Sequence, residues 1–164
     1  MGAIEADELG RLFDRHAPAL VLYARRRSSQ AENLVQEAFI KLASQRSRPL
    51  DVVSWLHCVV RNAAMNEARS ARNRRKYEQR SAKDEKWLST NDDRLDGSLM
   101  VESLKQLDLE THEIIVARIW GGLTFEQIAQ LQSLSLATVY RRYRDGLHEI
   151  KKMTKEREMK NGGI

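Results

Sequence analysis

Apolar residues along this chain recur at three- and four-residue intervals instead of alternating, which is the spacing of one helix face and not of a half-buried strand. The clearest run is SSQAENLVQEAFIKLASQ, residues 28–45. There Ala31, Leu34, Val35, Ala38, Phe39 and Leu42 fall at i, i+3, i+4, i+7, i+8 and i+11, one stripe of an amphipathic helix. Asn33, Gln36, Glu37 and Lys41 make its polar side, and Ser29 is the expected N-cap. Upstream, residues 7–26 carry Leu9, Leu12, Phe13, Leu20 and Tyr23 at helical spacing, with Pro18 predicting a kink or break. Downstream, SQRSRPLD reads as a loop. A third helix then begins near Asp51 or Ser54 and runs through Arg75, with Trp55, Val59, Ala63 and Met65 expected to face inward.

The C-terminal half gives shorter helices with sharper punctuation. Leu99–Leu107 and Leu109–Trp120 read as two helices, the second carrying Ile114, Ile115, Ala117 and Ile119 and ended by Gly121 and Gly122. Thr124-Phe125-Glu126-Gln127 fits a capping box, in which the fourth residue's side chain reaches back to the N-cap amide. Ser133-Leu134-Ser135 forms a tight turn, and Ser135 caps the final helix, LATVYRRYRDGLHEIKK. Two short helices across a tight turn, the second one basic, describe a helix-turn-helix. Ile128, Ala129, Leu134 and Val139 line the inner corner, while Ala137, Thr138, Arg141, Arg142 and Arg144 point outward. Arginine bonds guanine O6 and N7 in a bidentate manner. Thr138 and the free amides near Ser135 suit phosphate. The competing reading is a helical hairpin with a solvated basic face. Gly146 inside the last helix costs about 1 kcal/mol relative to Ala, and a close helix contact is the expected compensation.

Length and charge add organisation to this helical pattern. The 164 residues allow one compact domain or two small ones, with a net charge of +5. Residues 61–80 hold seven basic and two acidic groups, residues 81–113 four and nine, and residues 135–160 eight and four. Basic, acidic and basic blocks suggest two anion-binding modules around a solvated spacer, or else three solvated surfaces. The stretch 78–97, poor in apolar residues apart from Trp87 and Leu88, reads as the spacer. Arg61, Asn62, Asn66 and Arg69 form a polar stripe on the third helix, of side-chain types that read bases, and Arg72, Arg74 and Arg75 suit phosphates. Trp55 fits either a stacking platform for an unpaired base or a core position, the latter being the better fit. His57 is expected only to pack.

Cys58 is the lone cysteine, so an internal disulfide is excluded and a cysteine zinc site is not expected. The four histidines are scattered. No glycine-rich phosphate loop, nucleophile elbow or carboxylate pair occurs. The expectation is a non-enzyme without catalytic residues, metal or cofactor. No apolar run approaches a bilayer span, and the acidic N-terminus has no signal-peptide core. This points to a cytoplasmic protein with no membrane partner.

Three segments, AENLVQEAFIKL (31–42), WLHCVVRNAAMNEAR (55–69) and GLTFEQIAQLQSLSLATVYRRYRDGL (122–147), occur in an order that resembles a bacterial RNA polymerase sigma factor. The resemblance is to the sigma-70 family, in its small extracytoplasmic-function (ECF) group. It implies an all-α fold of two small helical domains: a region 2-like bundle at 1–77 and a region 4-like helix-turn-helix at 98–160. A flexible acidic linker, 78–97, joins them. It implies that Asn33, Gln36, Glu37 and Lys41 dock on the β′ clamp helices of core RNA polymerase. Trp55, Arg61, Asn62, Asn66, Arg69 and Arg72 would bind the −10 promoter element, with loop residues Arg46 to Val53 near a flipped base. Thr124, Ser135, Ala137, Thr138, Arg141, Arg142 and Arg144 would bind the −35 element, and region 4 would also touch the β flap. An anti-sigma factor is a further possible partner. The family usually has Asp where this chain has Asn33 and Asn66, and Gly in the turn where it has Ser133. The alternative function is a stand-alone helix-turn-helix regulator that binds duplex DNA without polymerase. A DNA-processing enzyme is disfavoured by the missing carboxylate or histidine cluster.

Overall fold

The computed structural model of the chain describes residues 2–75 and 98–162. The expected linker at 78–97, with Trp87 and Leu88, lies outside the described residues. Within them all regular structure is helical. The helices are α1 (Ala6–Ala24), α2 (Ala31–Ala43), α3 (Val52–Arg75), α4 (Ser98–Leu104), α5 (Leu109–Ile119), α6 (Phe125–Gln132) and α7 (Leu136–Asn161). They form two units, α1–α3 and α4–α7.

In the first unit α2 buries the six residues its periodicity selects, Ala31, Leu34, Val35, Ala38, Phe39 and Leu42. Its start differs from expectation. Gln30, not Ser29, is the N-cap residue and makes no side-chain cap bond. The Ser28 hydroxyl instead accepts the Gln30 amide at 2.9 Å, so the hydroxyl shapes the entering turn one residue earlier.

Helix α1 runs unbroken through Pro18. Proline inside a helix costs about 3 kcal/mol. Ala17 and Ala19 to Ala24 are all buried around it, and this packing outweighs the lost backbone bond. Phe13 meets the Phe39 ring edge-on at 5.0 Å, which ties α1 to α2.

Asp51 starts α3, its Oδ1 accepting the Ser54 amide at 3.0 Å. The buried line on α3 is Val52, Leu56, Val60 and Ala64; its last three members lie one position on from the expected Trp55, Val59 and Ala63, and the expected Met65 is off the line. Trp55, Val59 and Ala63 are half-buried and Met65 is exposed. The shift centres small and medium side chains on the helix crossings and leaves the bulky indole at the margin, where the backbones need not separate to admit it. His57 is buried on this helix. It donates Nδ1–H to the Val53 carbonyl at 2.9 Å and stands edge-on to Tyr23 at 5.2 Å.

In the second unit α5 is the central helix. Every residue from Thr111 to Ala117 is buried, as expected of a helix enclosed on all sides, and only Ile119 at its end is exposed. The helix closes as the amides of Gly121 and Leu123 bond the Val116 and Ala117 carbonyls at 2.9 and 3.0 Å, with Gly122 left-handed at φ 71°. Gly146 faces α5. A Cβ there would lie 2.5 Å from Thr111 Cγ2 and 2.6 Å from Ile115 Cδ1, which supplies the close contact expected for it. Arg157 pairs with Glu102 at 2.7 Å and ties the far end of α7 to α4.

Candidate nucleic-acid interface

The helix-turn-helix is built by three local devices. Thr124 Oγ1 accepts the Gln127 amide at 3.1 Å while Gln127 Oε1 accepts the Thr124 amide at 2.9 Å, completing the capping box of α6. Ser133 then turns the chain in the left-handed region, φ 53° and ψ 45°, while the Leu134 amide bonds the Ala129 carbonyl at 3.0 Å. Finally, Ser135 Oγ accepts the Thr138 amide at 3.1 Å and donates to Thr138 Oγ1 at 2.7 Å, starting α7. Ile128 and Val139 are wholly buried in the corner, and Ala129 and Leu134 partly so.

A ring cluster fixes the angle between these helices. Phe125, the first residue of α6, meets Tyr140 and Tyr143 of α7 edge-on at 5.6 and 5.1 Å. The Arg118 guanidinium lies 4.5 Å from the Phe125 ring centroid and donates to the Leu123 carbonyl at 2.9 Å. Edge-to-face pairs contribute about 0.5–1.5 kcal/mol each beyond buried area. The sequence reading assigned no role to Phe125, Tyr140, Tyr143 or Arg118. Their only sequence signal is that Tyr140 and Tyr143 sit three apart on one helix.

The outward face of α7 carries Ala137, Arg141 and Arg144, all exposed, opposite the buried Val139, Gly146 and Ile150. Thr124 and Ser135 are exposed and Thr138 is half-buried. Arg142 stands apart from this group. Its guanidinium pairs with Glu110 and lies 3.5 Å from Asp108, both at the start of α5. These contacts span 32 and 34 residues, beyond the reach of a periodicity argument.

In the first unit, Asn62, Asn66, Arg69 and Arg72 are exposed and Arg61 is half-buried, along the side of α3 opposite its buried line. Half-buried Trp55 falls on the same side, since positions i, i+7, i+11 and i+14 share a helix face. Of the side chains of Arg74 and Arg75 nothing is described. The last buried residue described on α3 is Ala64, so the helix continues about 16 Å beyond it at 1.5 Å per residue.

Helix α2 exposes Asn33, Gln36, Glu37 and Lys41 together. Among them stands Ile40, 67% exposed, an apolar side chain in a polar ridge that the sequence reading passed over. The neighbouring loop is tied to α1 by the Arg48–Glu8 ion pair.

Burial holds the His57 imidazole down at about 4, because a second proton on Nε2 would meet no acceptor among the described residues. His16 is also lowered, by burial first and then by Arg15.

The first unit is a three-helix bundle with an exposed amide and carboxylate ridge, and the second presents a helix-turn-helix with a cationic outward face, which together make a two-module all-helical protein. Family comparison narrows the class. The Sigma-70 region 2 model matches residues 12–74 and the Sigma-70 region 4 model matches residues 103–152. The ECF RNA polymerase sigma factor SigL of Mycobacterium tuberculosis is 32% identical over 149 residues, covering 84% of this chain and 83% of SigL. The fold is similar to that of the sigma factor RpoE in complex with the anti-sigma factor NepR from Bartonella quintana (TM-score 0.62, 21% identity, 92% of this chain and 98% of that one). It is also similar to that of CnrH in complex with the cytosolic domain of CnrY (TM-score 0.57, 20% identity, 93% and 90%). The chain therefore belongs to the ECF group of the sigma-70 family. Its role is that of a sigma factor in transcription initiation.

Proposed function

We propose that this chain binds core RNA polymerase, which supplies all catalysis, and directs it to promoters by reading two DNA elements. In this reading residues 1–77 form the −10 module, 78–97 the linker and 98–160 the −35 module. Asn33, Gln36, Glu37 and Lys41, with Ile40 at their centre, dock on the β′ clamp helices. Polar groups supply orientation and the isoleucine supplies buried area. Arg61, Asn62, Asn66, Arg69 and Arg72 engage the −10 element, and Trp55 at the end of the same face stacks on an unpaired base. Arg141 and Arg144 reach base edges of the −35 element. Thr124, Ser135, Ala137 and Thr138 sit at the N-terminal ends of α6 and α7, the part of a helix-turn-helix that enters or borders the major groove. Arg142, steered by Glu110 and Asp108, takes a phosphate at the groove margin instead of a base.

The observation that carries the reading is the exposed face of α7, cationic and presented by a complete capping-box and left-handed-turn framework. That the B. quintana relative was solved with an anti-sigma factor supports a protein inhibitor as a further partner here. Run-off transcription with purified core polymerase, with and without this chain, tests the proposal. Gln36→Ala/Glu37→Ala should abolish core binding and leave folding intact. Arg141→Ala/Arg144→Ala should abolish promoter selection and leave core binding intact. Specific operator binding by the chain alone, with no effect on transcription by core enzyme, would favour a stand-alone regulator.

A further inference from the structure

The first turns of the recognition helix expose apolar surface. Leu136 is 47% exposed and Tyr140 53% exposed, and the exposed Ala137 lies beside them. At 100° per residue Leu136 and Tyr140 sit one turn apart on the same strip. Arg141 and Arg144 begin only where this strip ends. Ile119 and Met159 are also exposed in this unit, each by itself, whereas Leu136 and Tyr140 stand together. Here they occupy the end of the helix that enters a major groove.

Charge complementarity names the occupant. A cationic helix flanked by Arg141 and Arg144 attracts duplex DNA, and the apolar group that B-DNA displays in its major groove is the thymine C5-methyl. Resting on the −35 reading above, we infer that Leu136, Ala137 and Tyr140 form a specificity surface for thymine methyl groups, with Tyr140 as its principal member. Tyr140 suits this role because its ring is held. The edge-on contact with Phe125 at 5.6 Å, and the packing of Phe125 on Tyr143 and Arg118, fix its direction before DNA arrives. Little rotamer freedom is then left to lose on binding. The inference adds a base identity to a helix whose arginines alone select guanine. The −35 element should place thymine, on either strand, beside the base pair read by Arg141.

The test uses holoenzyme reconstituted from the full chain and core polymerase. Duplex DNA bound through its −35 region is first selected from a randomised pool. Each thymine in the selected element is then replaced singly by deoxyuridine, which deletes only the methyl group. Loss of one buried methyl should weaken binding about fourfold at one or two positions. This sensitivity should vanish in Tyr140→Ala, persist in Tyr140→Phe and fall in Leu136→Ala at the same or the adjacent thymine. Circular dichroism melting of the variants reports whether α6 and α7 stay folded. The unmodified chain needs no such control, so the deoxyuridine scan stands by itself. A selected element in which no thymine is sensitive overturns the inference, as does sensitivity that survives both Tyr140→Ala and Leu136→Ala. If holoenzyme ignores duplex −35 DNA altogether, the −35 reading falls and this inference with it, a result distinct from tight but methyl-blind binding.

Discussion

Replacing Gly146 by alanine isolates the contact that sets α7 against α5. The new Cβ would stand 2.5 Å from Thr111 Cγ2 and 2.6 Å from Ile115 Cδ1, about 1 Å or more inside ordinary carbon contact. The Ile115 methyl is a chain end and can turn aside. Thr111 Cγ2 belongs to a β-branched side chain with few rotamers on a buried helix, and it cannot. Overpacking of this kind costs about 1–3 kcal/mol, while alanine returns about 1 kcal/mol of helix propensity. The net expectation is a loss of up to about 2 kcal/mol confined to the second unit. Hydrogen exchange on the full chain should show faster opening of α5 and α7 with α1–α3 unchanged. Adding Thr111→Ser removes the obstructing methyl and should recover about half of the loss, a coupling expected only of side chains in contact. Unchanged or increased protection of α7 in Gly146→Ala would refute the reasoning, and so would a Thr111→Ser effect that is merely additive.

Three further outcomes are expected. Ser133→Gly relieves a left-handed residue that bears a Cβ and should stabilise the second unit by about 1 kcal/mol, seen as a higher urea midpoint for α6 and α7 amides; destabilisation would mean that the serine side chain matters more than the backbone strain. Ile40→Glu should weaken core polymerase binding at least tenfold in a fluorescence titration while leaving the melting temperature within a degree or two, since the side chain is exposed. His57 has its folded value depressed to about 4 from 6.5, chiefly by burial, with Val53 and Asp51 opposing and His16 adding to the shift. Its stabilising contribution is therefore complete above pH 6.5 and is lost as pH falls toward 4, on the order of 3 kcal/mol in the first unit. In His57→Phe that part of the pH slope should disappear from urea unfolding, and an identical slope in both proteins would contradict it.

What the chain reveals without its fold is whatever depends on residues three or four apart. The α2 stripe, the Thr124–Gln127 capping box, the Ser135 cap and the left-handed glycine after α5 are bonded or packed within one helical turn, so composition and spacing suffice to place them. The motif order that resembles sigma factors is likewise linear information. Tertiary structure decided the rest. The inward line of α3 settled one residue away from the expected one because helix crossings favour Leu56, Val60 and Ala64 over the bulky Trp55. Helix α1 kept its course through Pro18 because its neighbours bury the residues on either side. Arg142 is held apart from Arg141 and Arg144 because Glu110 and Asp108, more than thirty residues earlier, come within reach of it. Ile40 and Tyr140 look like core residues by hydropathy, and only packing decides that their faces stay uncovered. Local bonds are written in adjacent letters, whereas burial is a property of what the rest of the chain leaves exposed.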